Sequence, residues 1–79
     1  MAINQHFKFT ELEEKIIDQL KFGYTNSVIA KKLNFSPYTI KYHIARIISK
    51  TGAVNRINAL YILAKHGYFN TLEQEESQV

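Results

Sequence analysis

The segment from Ser36 to Gly52 constrains the fold more than any other part of the chain. Ser36 is a capping residue placed directly before Pro37, and proline suits the first helical position because its missing N–H has no helical partner to lose. Isoleucines at 40, 44, 47 and 48 then fall on one narrow stripe of a helix. Gly52 can take the left-handed conformation that closes a helix. These signals predict a helix from Pro37 to about Lys50 or Thr51, and a fold built to bury its stripe.

Three more helices are predicted around it, and no stretch alternates convincingly as a strand. The first opens at Thr10, with Glu13 three residues on as a capping box and Leu12, Ile16, Ile17 and Leu20 as its apolar face; Gly23 follows its end. The second starts near Thr25 or Asn26 and runs Ser27 to Leu33, with Ile29, Ala30 and Leu33 inward and Asn34 as its stop. The fourth starts near Asn55 and runs to about His66, where Gly67 ends it; Leu60 and Leu63, helped by Ala59 and Ala64, mark its core side. Phe9, Phe22, Phe35 and Phe69 stand at helix ends and are expected to cap the core. The fold class is all-α, a compact four-helix domain with a central helix-turn-helix formed by helices two and three. The expected organisation is an N-terminal arm over 1–8, a domain over 9–69, and an acidic, disordered tail over 70–79.

Composition narrows the function. With 79 residues and no cysteine, the chain is one small domain without disulfides or thiolate zinc sites. His6, His43 and His66 share no metal-binding spacing, and no glycine-rich phosphate loop or nucleophile elbow occurs, so neither a metal, a cofactor nor an enzyme is expected. No run is long and apolar enough for a membrane span and no secretory signal is visible, which makes the cytoplasm the expected location. Charge is strongly partitioned. Residues 31–66 hold Lys31, Lys32, Lys41, Arg46, Lys50, Arg56 and Lys65 with no acid, between a first part of net −1 and a last part of net −3. Such a block is the footprint of a polyanion binder, although a solvated, solubilising face has the same composition.

The third helix sharpens the choice. Opposite its isoleucines stand Tyr38, Tyr42, Ala45, Arg46 and Ser49, flanked by Lys41 and Lys50, with no carboxylate. A helix entering the DNA major groove must avoid acids, which repel phosphates, and needs donors and apolar atoms for base edges. An ordinary amphipathic helix with a lysine-rich surface presents a similar pattern. Spacing adds to the DNA reading: small Ala30, turn-forming Asn34 four residues on, and Ile40 ten residues after Ala30 suit two helices crossing closely about a tight turn.

The run from Phe9 to Phe69 resembles the LuxR-type helix-turn-helix domain, including the small stand-alone regulators of the GerE kind. Phe9-Thr10 and Glu13 stand at its opening; Gly23-Tyr24-Thr25-Asn26 with Ile29-Ala30, then Ser36-Pro37, Thr39-Ile40-Lys41 and His43, match its centre; Gly52, Val54, Asn55-Arg56 and Ala59 match its close. The resemblance implies a sequence-specific transcription regulator that binds double-stranded DNA as a homodimer. Lys41, Tyr42 and Ala45 match base-reading positions, and with alanine at 45 readout is expected to move toward Tyr42 and Arg46. Thr25, Asn26, Ser36, Tyr38, Thr39, His43, Lys50 and Arg56 are the expected phosphate contacts. Val28 departs from the family's usual glutamate. Thr51 replaces its usual leucine, which implies a looser end to the third helix. No sensory domain accompanies the resemblance, so either the regulator is expected to act through its own concentration or a partner, or the sequence is a piece of a longer protein; the Met1 start and the tail favour the natural short protein as the expectation.

The fourth helix is apolar almost all round, which calls for a second buried face. A two-fold contact with another copy is expected to use Ile57, Asn58, Tyr61, Ile62 and Lys65, unless the first helix covers them. A protein-interaction adaptor of the same fold, docking on RNA polymerase or another regulator, is the alternative function, and a sigma-factor region is a second.

Overall fold

The computed structural model describes residues 7–69. Four helices follow in order: α1 (Glu11–Leu20), α2 (Asn26–Leu33), α3 (Pro37–Thr51) and α4 (Arg56–Lys65), with no strand among the described residues. The acidic tail and most of the arm expected at the N-terminus lie outside the described residues.

Each helix begins where a side chain can satisfy its free N–H groups. Thr10 Oγ1 accepts the Glu13 N–H at 3.1 Å, and Glu13 Oε1 accepts the Thr10 N–H at 2.8 Å, a reciprocal box. Thr25, Ser36 and Asn55 accept in the same way at the starts of α2, α3 and α4. Asn34 ends α2 at φ 65°, ψ 46°, and is the one non-glycine residue of positive φ among those described. The Phe35 N–H then reaches back to the Ala30 carbonyl at 2.9 Å, which turns the chain sharply into α3. The end of α3 is not loose: Thr51 Oγ1 donates to the Ile47 and Ile48 carbonyls, and Gly52 closes the helix at φ 73°.

α3 is the central element and packs against each of the other three. Ile40, Ile44 and Ile47 are buried and Ile48 partly so; they join Ile16, Ile17 and Leu20 of α1, Ile29 and Ala30 of α2, and Leu63 of α4 in one cluster. Each fully buried isoleucine contributes roughly 1.5–3 kcal/mol. Phe9 and Phe69 pack on this cluster as expected. Phe7 does so too, stacking on Phe9 at 5.9 Å and meeting the His66 ring edge-on at 5.5 Å.

The expectations for Phe22, Phe35 and Ala64 also need correction. Phe22 and Phe35 do not cap the core. Phe22 is 61 % exposed and leans on Tyr24 beneath the Lys21 ammonium, while Phe35 is 42 % exposed after the turn. Ala64 is exposed, whereas Leu63 is buried in the core cluster and half-buried Leu60 packs against it, as expected.

Candidate nucleic-acid interface

α3 is held from three sides and bare on the fourth. Its core stripe fixes its rotation, so the opposite face is set by geometry. Tyr38 is 80 % exposed and Tyr42 55 %; Lys41, Ala45, Arg46 and Ser49 are exposed with them. The candidates for base reading, Lys41, Tyr42, Ala45 and Arg46, therefore all reach the surface of one helix. That helix has no acid, and a helix with its side chains fits the width of the major groove.

Six of the phosphate candidates, Thr25, Asn26, Ser36, Tyr38, Thr39 and Arg56, stand at helix starts, while His43 lies in the middle of α3 and Lys50 in its last turn. The first turns of α2, α3 and α4 contain no acid, so their free N–H groups and positive dipole ends are not neutralised. Thr25 and Ser36 are exposed caps. Ser36 also donates to Thr39 Oγ1 at 3.0 Å, and Thr39 is half-buried. Arg56, on α4, donates to Asn26 Oδ1 at the start of α2, joining two candidates that lie thirty positions apart. His43 is half-buried beside Tyr42, ring centroids 5.1 Å apart, and its Nδ1 is buried without a hydrogen-bond partner.

The structure gives Lys50 and Arg46 an internal partner that sequence reading missed. Glu13 is fully buried, and its Oε1 accepts Lys50 Nζ at 2.6 Å while Oε2 accepts Arg46 Nε at 3.4 Å. Lys50 Nζ also donates to the Lys8 carbonyl at 2.9 Å, so this ammonium ties α3 to the entry of α1. Burial pushes the Glu13 carboxyl up, but Lys50, the Thr10 N–H and Arg46 outweigh it and hold the group below its ordinary value. The capping box was legible locally; the two cations come from 37 and 33 positions away, and no local signal announced them.

Opposite polarity marks α1. Glu11, Glu14 and Asp18 are exposed there, and Asp18 pairs with Lys21 at 2.8 Å. The Tyr68 hydroxyl is pushed up to about 12, by burial first and then by the charges of Glu14 and Asp18. A polyanion is repelled from that side and drawn to the acid-free helices.

On α4, Ile57 is 75 % exposed and Tyr61 62 %, with Lys65 exposed beyond them. They lie on one side at four-residue steps, uncovered by α1. Ile62 is half-buried, and Asn58 is turned back to accept the Val54 N–H at 3.0 Å. Among the described residues no three histidine or carboxylate side chains gather to hold a metal ion. No helix there is long and apolar enough to cross a membrane.

Comparison with known proteins agrees with this geometry. The model of the GerE family, bacterial regulatory proteins of the luxR family, matches residues 8–63. Over 59 residues, 75 % of its length, the chain is 36 % identical to the uncharacterized transcriptional regulatory protein YxjL of Bacillus subtilis (strain 168), covering 27 % of that protein. Over 64 residues, 81 % of its length, it is 33 % identical to the transcriptional regulatory protein LnrK of the same organism, covering 29 % of it. It is also 38 % identical over 47 residues, 60 % of its length, to the monoamine regulon transcriptional regulator of Klebsiella aerogenes, covering 21 % of it. The chain thus spans under a third of each of these relatives. No solved structure gives a significant match. Because the family model runs across α1, the α2–α3 corner and most of α4, the chain belongs to the luxR family of bacterial regulatory proteins, and its four helices form a DNA-binding domain of that family.

Proposed function

We propose that this protein is a sequence-specific transcription regulator that binds duplex DNA as a homodimer, with α3 lying in the major groove. One observation carries the reading: the outer face of α3 is exposed, free of acid and rigidly oriented by three packed neighbours. Lys41, Tyr42, Ala45 and Arg46 read base edges. Thr25, Asn26, Ser36, Tyr38, Thr39, His43 and Arg56 hold the flanking phosphates. Lys50 supports this set from behind through Glu13, adding its charge to the field more than a contact of its own. A second copy covers Ile57, Asn58, Tyr61, Ile62 and Lys65, which presents two recognition helices to half-sites about one helical turn apart.

Selection from a pool of random duplexes tests the reading. The expected result is a two-part motif. Lys41→Ala and Tyr42→Ala should then each weaken binding to it by about 1–3 kcal/mol, the range of a base contact. If no motif emerges and both variants bind like the parent, α3 is not the reading helix. The exposed Ile57 and Tyr61 would then favour an adaptor docking on RNA polymerase or another regulator.

A further inference from the structure

Arg46 leaves α3 one turn after Tyr42, with its side chain 49 % exposed. Its Nε donates to Glu13 Oε2 at 3.4 Å, on the inward side. Glu13 cannot follow the arginine outward, because its other oxygen holds Lys50 Nζ at 2.6 Å and the Thr10 N–H at 2.8 Å. A guanidinium is a planar fork of five N–H donors. With Nε turned inward, the donors on the two terminal nitrogens are left, and among the described residues nothing takes them. That free edge matches two acceptors standing side by side.

Two further features make the arrangement more than a surface ion pair. Glu13 is the one fully buried charged residue among those described, so the anchor is fixed by the core. Its charge is shared between two cations, so the cluster stays net positive toward solvent and does not repel a polyanion. An unanchored arginine samples many rotamers and loses that freedom on binding, whereas an anchored one has lost part of it already.

We infer that Glu13 is a positioning residue that holds Arg46 edge-on for a paired acceptor on the duplex, either two oxygens of one phosphate or N7 and O6 of a guanine. The inference rests on the DNA-binding reading above and deepens it.

The test uses the full chain and a duplex selected by the wild type, with affinity, salt dependence and melting temperature measured together. Arg46→Lys keeps the charge but has a single donor centre, which cannot bond inward and present a fork outward at once. It is expected to weaken binding about ten-fold, nearly as far as Arg46→Ala, with little change in melting temperature. Glu13→Gln is expected to weaken binding in the wild-type background and to add no further loss once Arg46 is alanine, although it lowers the melting temperature in both. The Nε–H resonance of Arg46 should exchange slowly with solvent in the wild type and rapidly in Glu13→Gln. A loss confined to one base step identifies guanine as the acceptor. A loss uniform across sequences with a shallower salt slope identifies phosphate. Arg46→Lys binding like the wild type, or equal losses from Glu13→Gln in both backgrounds, overturns the inference. A wild type that selects no duplex overturns the functional reading and this one with it; a wild type that selects a duplex which the Arg46 variants bind unimpaired overturns the positioning role alone.

Discussion

At the scale of single residues, Glu13 carries two duties that sequence reading separates. It caps α1, and it neutralises cations brought from α3. Its carboxyl titrates lower in the fold than in the unfolded chain, so folding favours the ionised form. The stabilisation is complete above the ordinary value of 4.5 and fades as pH falls through the lower folded value. Thermal stability of the wild type should therefore drop on acidification below pH 4.5. Glu13→Gln should start roughly 1.5–3 kcal/mol less stable at neutral pH, the worth of hydrogen bonds to a charged group, and lose less on acidification. Melting curves across that range check both outcomes, and parallel pH profiles for the two proteins would remove Glu13 from the acid response.

At the scale of the element, α3 depends on how it is started. Ser36 binds the Thr39 N–H at 3.1 Å, and Pro37 follows at the first helical position. Ser36→Ala should cost about 1 kcal/mol of stability in a denaturant titration. Its effect on DNA binding should be larger than that loss explains, because the same hydroxyl stands at the acid-free start of α3, the proposed reading helix. Such starts were legible because capping is local: Thr10, Thr25, Ser36 and Asn55 each act on a group three positions ahead. The stops at Asn34 and Gly52 were legible for the same reason, since positive φ is a property of the residue itself. α4 was less legible. Its residues are apolar on nearly every side, so the pattern alone did not say that Ala64 faces out or that Leu60 is only half covered.

At the scale of the whole molecule, what the sequence concealed is what distant segments do to one another. Phe22 and Phe35 sit at helix ends just as Phe9 and Phe69 do, yet only the latter pair packs on the core, with Tyr68 in ring contact with both of them. The exposed side of α4 is the counterpart on the surface. Ile57→Glu should abolish self-association in sedimentation at several concentrations while leaving helix content unchanged, since Ile57 contributes little to the core. Self-association undiminished by that change would locate the contact between copies elsewhere.

The ring cluster formed by Phe7, Phe9, Tyr68 and Phe69 has a mechanical consequence. Phe9 meets Tyr68 edge-on at 5.9 Å, and Tyr68 meets Phe69 at 5.1 Å, so the strand of chain entering α1 and the turn leaving α4 are clasped together. Any module joined upstream or downstream pulls on this clasp. A tug from upstream is shared between these rings and the Lys50 bond to the Lys8 carbonyl, so tension at the entry is felt by α3 as well as by the clasp.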